Sequence, residues 1–200
     1  MNFLKSLLFC SLCNVFFCQN INQQVLNEAN KYEGGGYYWD GTGLIKPIIF
    51  KDSTFLEKGD TGSFCSGFTL MIAFDVLHFN NKLNQKIMSS FYNFYRTWYG
   101  VPAISRDKQC VLALTKYNLG FEVNIEEAIP GDFVQFWRNN KSGHSVIFLG
   151  WERNEKNEIV GMHYRSSQKL TFGVGDRCEF IGDHEDYINV NRIYISRLIE

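Results

Sequence analysis

The chain has 200 residues, of which 45% are hydrophobic and 20% are charged, which is enough apolar material for one ordinary folded domain and too much for a disordered chain. The 20 basic and 21 acidic residues leave a formal net charge of −1, which excludes the strongly basic surface typical of nucleic-acid-binding proteins. The sequence has only three prolines and no repeat of fixed period, which excludes Pro-rich linkers, solenoids and propellers.

The first eighteen residues are typical of an export signal. Lys5 supplies a positive charge, and the mostly apolar segment Ser6–Phe17 that follows is too short to span a bilayer. Cleavage after Cys13 and cleavage after Cys18 remain alternatives. We therefore expect residues 1–18 to be a signal peptide and residues 19–200 to form one domain. The mature protein would then be secreted or periplasmic, with no membrane span.

The first half of the mature chain is predicted to be mainly helical. Four segments have apolar residues at helical spacing, or an apolar run too long for a strand: Asn22–Tyr32, Phe68–Phe79, Lys82–Trp98 and Arg106–Asn118. Residues 36–62 are rich in glycine and turn signals, and they predict one short strand at Leu44–Phe50.

The second half is predicted to be a β-sheet. Four runs are rich in β-branched and aromatic residues and are separated by turn signals: Asp132–Arg138, His144–Arg153, Glu158–Arg165 and Arg192–Leu198. Helices followed by antiparallel strands predict an α+β fold, with N-terminal helices packed on a C-terminal antiparallel sheet.

Cys65 is the first candidate for chemistry, because it stands where a Gly-rich loop meets a predicted apolar helix. At a helix N-terminus, free backbone N–H groups and the helix dipole favour the reactive thiolate. The same N–H groups can bind an oxyanion. From this segment alone, a small buried structural cysteine is an equally good interpretation.

His144 is the candidate general base, because it begins the second strand of a predicted hairpin. A lone histidine at a strand start is more often structural. It becomes a candidate base when a cysteine distant in the sequence lies beside it in space, since thiol and imidazole are the minimal nucleophile and base.

Three segments, taken in order, resemble the NlpC-type cysteine peptidases, a papain-like superfamily of bacterial cell-wall hydrolases. The segments are Tyr37-Tyr38-Trp39-Asp40-Gly41, Cys65-Ser66-Gly67-Phe68, and Pro130-Gly131-Asp132 followed by Gly143-His144 and Leu149-Gly150. The resemblance implies a papain-like fold with Cys65 as nucleophile and His144 as base. It further implies that Tyr37, Trp39 and Ser66 lie on the substrate or oxyanion side.

The resemblance also implies a third catalytic member on the next strand, which would hold the tautomer of His144. His163 matches the usual position and is the favoured candidate. Gln168 is the alternative, because an amide can play the same part. A regular strand would place the two side chains on opposite faces.

Two departures from the family pattern bear on the substrate. Phe64 stands where the family usually has an aspartate before the cysteine, and residues 42–61 form a longer insertion than usual. The implied activity is hydrolysis of an amide or isopeptide bond, with peptidoglycan or another peptide as substrate. A catalytically silent binding module and an amidase or acyltransferase on a substrate outside the cell wall remain alternatives.

The remaining cysteines and acidic residues predict no further chemistry. If Cys10, Cys13 and Cys18 leave with the signal peptide, then Cys65, Cys110 and Cys178 remain. We expect no disulfide, with a bridge between Cys110 and Cys178 as the alternative. The turn Asp183-His184-Glu185-Asp186 is interpreted as a solvated loop, because consecutive residues rarely converge on one ion. We expect no metal, no cofactor, no nucleic-acid partner and a monomer.

Overall fold

The computed structural model describes residues 20–200, so the predicted signal peptide, with Cys10, Cys13 and Cys18, lies outside the described residues. Five α-helices are described: α1 (Ile21–Ala29), α2 (Cys65–Phe79), α3 (Gln85–Ser89), α4 (Phe91–Trp98) and α5 (Cys110–Lys116). Within residues 20–200, no helix has the length and the apolar character needed to cross a bilayer.

Nine strands form two sheets in the described part of the chain. They are β1 (Gly34–Gly35), β2 (Ile48–Phe50), β3 (Ser53–Leu56), β4 (Gly120–Val123), β5 (Phe133–Arg138), β6 (Gly143–Arg153), β7 (Ile159–Gln168), β8 (Gly173–Phe180) and β9 (Ile188–Leu198). The large sheet has seven strands in the order β1-β8-β7-β6-β5-β9-β4, and each neighbouring pair is antiparallel. The prediction of a mixed α+β fold with a large antiparallel sheet is confirmed.

The two faces of this sheet contribute to different apolar clusters. Phe133 of β5 and Ile147 of β6 pack with the helices, whereas Val134 and Val146 belong to a cluster of strand residues on the other face. Side chains alternate between faces along a strand, so neighbours such as Phe133 and Val134 point in opposite directions. This alternation later decides which side chains can reach His144.

Helix α2 is the central helix of the fold, and most of its residues are buried. Its apolar side chains point in all directions, which is typical of a helix enclosed by other elements. A Cβ built on Gly67 would lie 2.3 Å from the carbonyl oxygen of Gly43. Only a glycine at position 67 therefore lets the 42–61 insertion pack directly on the first turn of α2.

Asp132 fixes the start of β5. Its buried carboxylate accepts hydrogen bonds from Arg197 Nε at 2.8 Å, from Asn22 Nδ2 at 2.8 Å and from the backbone N–H of Ile129 at 2.9 Å. This one side chain ties β5 to β9 and to α1. The aspartate of the Gly-Asp motif therefore has a structural role, because it sets the position of the β5–β6 hairpin.

The observed boundaries differ from the predicted ones in several places. The single helix expected at Lys82–Trp98 is divided at Ser90 into α3 and α4, and the third helix is shorter because it begins only at Cys110. The strand expected at Leu44–Phe50 is limited to Ile48–Phe50. Strands β1, β3, β4 and β8 were not predicted. Strand β8 begins with Gly173-Val174-Gly175, and glycines in this pattern indicate a turn unless neighbouring strands pair with them.

Candidate active site

Cys65 is the first residue of α2, and it is buried at 3% exposure. Phe64, the residue before the helix, offers no side-chain cap to the first backbone N–H groups. Burial by itself raises the pKa of the Cys65 thiol. Three neighbouring groups outweigh this effect of burial and hold the pKa of the Cys65 thiol below its ordinary value. They are His144, through its charge and a hydrogen bond, the backbone N–H of Ser145, and the Ser66 hydroxyl. Cys65 is therefore poised to form a thiolate.

His144 lies at the start of β6, and its side chain is buried against two aromatic rings. The rings of Phe136 and Tyr164 meet the imidazole edge to face, with centroids at 5.7 and 5.5 Å. The β6–β7 register pairs Ile147 with Arg165. Because the strands are antiparallel, His144, three residues before Ile147, lies opposite Gln168, three residues after Arg165.

Gln168 determines the tautomer of His144. Its Oε1 atom lies 3.0 Å from Nε2 of His144, and its Nε2 atom lies 3.4 Å from the carbonyl oxygen of Gly175, which it contacts as a donor. An amide oxygen can only accept, so Nε2 of His144 carries the proton. The other ring nitrogen, Nδ1, then carries the lone pair that can take the Cys65 proton.

The favoured third member, His163, does not take this position. Its ring lies on the opposite face of β7, where Nε2 is 2.6 Å from Oε2 of Glu152, and its side chain is 45% exposed. The physical reason is strand alternation. His163 is an odd number of positions from Gln168, and β7 is regular between them. The alternative candidate, Gln168, is the one that contacts His144.

A charged network supports Gln168 from behind. The one proton of the Tyr164 hydroxyl is shared between two acceptors, Oε1 of Gln168 at 3.0 Å and the carboxylate of Glu179. Arg138 in turn donates from Nε and Nη2 to the two oxygens of Glu179, at 2.7 Å each. Burial raises the pKa of Glu179, but the hydrogen bonds from Arg138 and Tyr164 outweigh it and lower that pKa. The network therefore contains a carboxylate that stays ionised although it is buried.

Cys65 and His144 line a cleft of about 190 Å³. Its aromatic walls are Trp39, Tyr99 and Trp137, and its polar lining includes Ser66, Gln109, Gln135 and Ser145. None of these described lining residues is acidic, and none is a lysine or arginine. The cleft is suited to an uncharged segment of substrate.

The predicted substrate-side residues all lie near Cys65. The exposed Trp39 ring packs on Phe64, with ring centroids 4.7 Å apart. Ser66 Oγ lies 3.8 Å from Cys65 Sγ and 3.4 Å from Ser145 Oγ. Tyr37 forms a β-bridge with Ser63, two residues before Cys65. Burial, followed by the charge of Cys65, raises the pKa of the Tyr37 hydroxyl.

Sequence reasoning missed Gln109 and Gln135, whose amide oxygens flank Ser145. Ser145 Oγ lies 2.5 Å from Oε1 of Gln135 and 3.3 Å from Oε1 of Gln109. Gln109 has φ 37° and ψ −104°, which lies outside the regions that non-glycine residues favour. Such strain occurs mainly at functional sites. No pattern in the sequence indicates it.

The other sequence candidates lie away from this cleft. Cys110 and Cys178 are both free thiols, one buried in α5 and one exposed on β8. Residues 183–186 form an exposed loop. A larger depression of about 370 Å³ between α1 and α2 contains Lys46 and Asp75, and its described lining includes neither a cysteine nor a histidine.

Comparison of the chain with family models, with curated proteins and with solved structures found no significant match. The function of the protein is therefore inferred from the geometry of the site and from the motif resemblance.

Proposed function

We propose that the protein is a thiol hydrolase that cleaves an amide or isopeptide bond, with Cys65 as nucleophile, His144 as general base and Gln168 as the residue that orients His144. One observation carries the proposal. A buried cysteine with a lowered thiol pKa contacts a histidine whose far nitrogen is held by an amide oxygen. A structural cysteine has no need of this arrangement, and Cys110 illustrates the contrast, because burial raises its pKa to about 12.

The order of chemical steps follows from the site. His144 Nδ1 takes the Cys65 proton, and the thiolate attacks the carbonyl carbon. Backbone N–H groups at the start of α2 would stabilise the oxyanion, and the resemblance assigns the Tyr37 hydroxyl to the same role. The imidazolium gives its proton to the leaving amine. Water, activated by the same histidine, then releases the acid from the thioester.

The fold we propose is papain-like, in which a helix presents the thiol and the sheet presents the imidazole. Here α2 begins at Cys65, and β6 carries His144. The resemblance to the NlpC-type peptidases proposes a bacterial cell-wall peptide as substrate, and export through residues 1–18 would bring the enzyme to it. These assignments agree with the order of the three motifs along the chain.

The cleft favours an uncharged group next to the cleaved bond. Phe64 packs against Trp39 at the position where the family has an aspartate, and the lining residues carry no carboxylate. A free substrate amine would therefore have no counter-charge in the cleft. Aromatic walls and side-chain amides are suited to a blocked peptide or to a sugar face. We propose a preference for internal amide bonds over stem peptides with a free N-terminus.

The experiment is digestion of purified peptidoglycan, followed by mass spectrometry of the released fragments. Wild-type protein should remove one class of amide bond, and Cys65→Ala should lose at least about 10⁴-fold of the activity while it keeps its unfolding temperature. Matched muropeptides with a free and an acetylated N-terminus test the substrate preference. Normal turnover by Cys65→Ala would refute the nucleophile. No turnover of any cell-wall amide by the folded wild-type protein would refute the proposed substrate.

A further inference from the structure

Three side chains that can bind metals meet on the face of the sheet opposite to His144. They are Glu152 of β6, His163 of β7 and Cys178 of β8, on three neighbouring strands. Their ligand atoms all lie within 4.8 Å of one another. Glu152 and Cys178 are separated by 26 positions in the sequence, so their proximity is a product of the fold.

Strand register explains why these three side chains converge. His163 is paired directly with Cys178, and Glu152 is paired with Gly161, two residues before His163. Side chains two apart on one strand share a face, so Glu152 is the diagonal neighbour of His163.

A glycine leaves room between these side chains. A Cβ built on Gly161 would lie 3.1 Å from Cβ of Glu152 and 3.5 Å from Sγ of Cys178. Gly150, which is paired with His163, is also open, because nothing lies within 4 Å of a Cβ built there. No side chain at Gly161 or Gly150 therefore covers the sheet surface beside the Cys178 thiol and Glu152.

We propose that Glu152, His163 and Cys178 bind one divalent transition-metal cation of the zinc class. A thiolate, an imidazole and a carboxylate are the three ligand types of protein zinc sites. Magnesium and calcium are excluded as the preferred ion, because they take oxygen ligands. The three side chains provide three corners of a tetrahedron, and the exposed outer side leaves the fourth corner to water.

Binding of the cation releases protons from the ligand atoms. The Cys178 S–H bond breaks, its proton passes to solvent, and a metal–sulfur bond forms. The proton that His163 Nε2 donates to Oε2 of Glu152 also leaves this nitrogen, and the neutral ring keeps its proton on Nδ1. The freed Nε2 lone pair and one oxygen of Glu152 complete the protein ligands, and nothing is oxidised or reduced. Burial raises the pKa of Cys178, and the charges of Glu152 and Glu179 raise it further. A bound cation would act in the opposite direction.

The structural effect would be to join three strands that also support the proposed active site. Gln168 belongs to β7 and Glu179 to β8, and both side chains contact the network behind His144. A metal that ties β6, β7 and β8 together on one face would hold these strands in place on the other.

The test uses untagged, reduced protein in which Cys65→Ser removes the active-site thiol. Titration with Co²⁺ should give one equivalent of binding with a thiolate-to-cobalt charge-transfer absorption band, and Zn²⁺ should displace it. Adding Cys178→Ser should abolish the band. His163→Ala and Glu152→Gln, each in the Cys65→Ser background, should weaken binding by at least about 100-fold, because loss of a direct ligand costs more than loss of a supporting contact.

Controls separate this site from other sources of binding. Circular dichroism checks that each variant is folded, and Cys110→Ser in the Cys65→Ser background should bind Co²⁺ normally. No band in the Cys65→Ser protein would overturn the proposal. A band that survives Cys178→Ser would also overturn it, as would a band that depends on Cys178 but not on His163, since that indicates a lone thiol.

Discussion

Gln168 holds His144 through one carbonyl oxygen, and this contact determines which imidazole nitrogen faces Cys65. The amide nitrogen of Gln168 contacts the carbonyl of Gly175 at 3.4 Å, and this contact sets the orientation of the amide group. Without the contact between Gln168 Oε1 and His144 Nε2, the imidazole could rotate about its χ angles and present the protonated nitrogen to the thiol. Gln168 is therefore a positioning residue, whereas Cys65 and His144 touch the reacting atoms.

Gln168→Ala should lower kcat by about 10- to 100-fold with a smaller change in KM, because His144 loses its orientation and substrate contacts remain. The matched control is His163→Ala, assayed with a metal chelator present, since His163 lies on the other face of β7. Its activity should stay within about twofold of wild type. A large loss in His163→Ala together with normal activity in Gln168→Ala would restore His163 as the third catalytic member.

The three thiols of the mature chain should differ in reactivity because their pKa values shift in different directions. The pKa of Cys65 is lowered, that of Cys178 is raised, and that of Cys110 is raised to about 12. At mildly acidic pH, with a metal chelator present so that Cys178 is free, iodoacetamide should therefore label Cys65 first, although Cys178 is more exposed. Each pH unit below its pKa leaves a thiol with about tenfold less thiolate.

Peptide mapping by mass spectrometry measures these labelling rates. His144→Ala should remove the advantage of Cys65, because the imidazole is the largest favourable influence on its thiolate. Cys178→Ser serves as the control and should leave the Cys65 rate unchanged. Faster labelling of Cys178 than of Cys65 in the wild-type protein at pH 6 would contradict the proposed thiolate.

The start of α2 depends on contact with the 42–61 insertion. Gly43 accepts a hydrogen bond from the Phe64 backbone N–H at 3.4 Å, and its α-carbon faces the Phe64 ring. The Tyr99 hydroxyl also donates to the carbonyl of Thr42. The insertion therefore forms one wall beside the nucleophile, and Gly67 is the residue that allows this close approach.

Gly67→Ala should destabilise the protein by about 1–3 kcal/mol, because its new methyl group would overlap the Gly43 carbonyl and force the two segments apart. Activity should fall as well, since the same segments frame Cys65. Gly150→Ala is the matched control, because a Cβ at position 150 meets nothing within 4 Å. Thermal and urea unfolding measure both variants. Equal stability of the two would show that the insertion adapts without cost.

The elements that could be predicted are those whose signal is local. The apolar run of α2 and the hairpin of β5 and β6 follow from apolar pattern and turn residues within short windows. The break at Ser90 and the start of α5 depend on tertiary packing, and β8 depends on pairing with β7. A single-sequence pattern contains no information on that pairing, and the glycines at positions 173 and 175 on their own indicate a turn.

The candidate site was predictable from the sequence only in part, because its residues come from distant parts of the chain. Cys65 and His144 could be paired because each stands in a motif with its own local signature. Gln109 reaches the site from the position just before α5, Gln135 from β5 and Glu179 from β8. Only the assembled fold brings them together. The choice between Gln168 and His163 depended on which face of β7 is directed toward His144. Strand alternation in the sequence predicts that the two side chains lie on opposite faces, but it does not tell which face that is.

Ionisation of Glu179 makes the free energy of unfolding depend on pH. Its carboxylate joins Arg138 of β5 and Tyr164 of β7 to β8, and its pKa is lowered in the folded protein. An unfolded glutamate titrates at about pH 4.3. The ion pair therefore contributes its full share to the free energy of unfolding above that pH. The contribution is lost as the pH falls through the lower folded-state pKa.

Glu179→Gln should lower the free energy of unfolding at neutral pH by roughly 3 kcal/mol, because Arg138 is left without its partner in a largely buried position. The difference from wild type should shrink at acid pH, where the wild-type carboxyl is itself protonated. Urea unfolding from pH 7 to pH 3 measures this difference. Glu122→Gln is the control, since its exposed ion pair with Lys108 should contribute little at any pH. A wild-type to Glu179→Gln difference that stays constant down to pH 3 would show that the carboxylate charge does not stabilise the sheet.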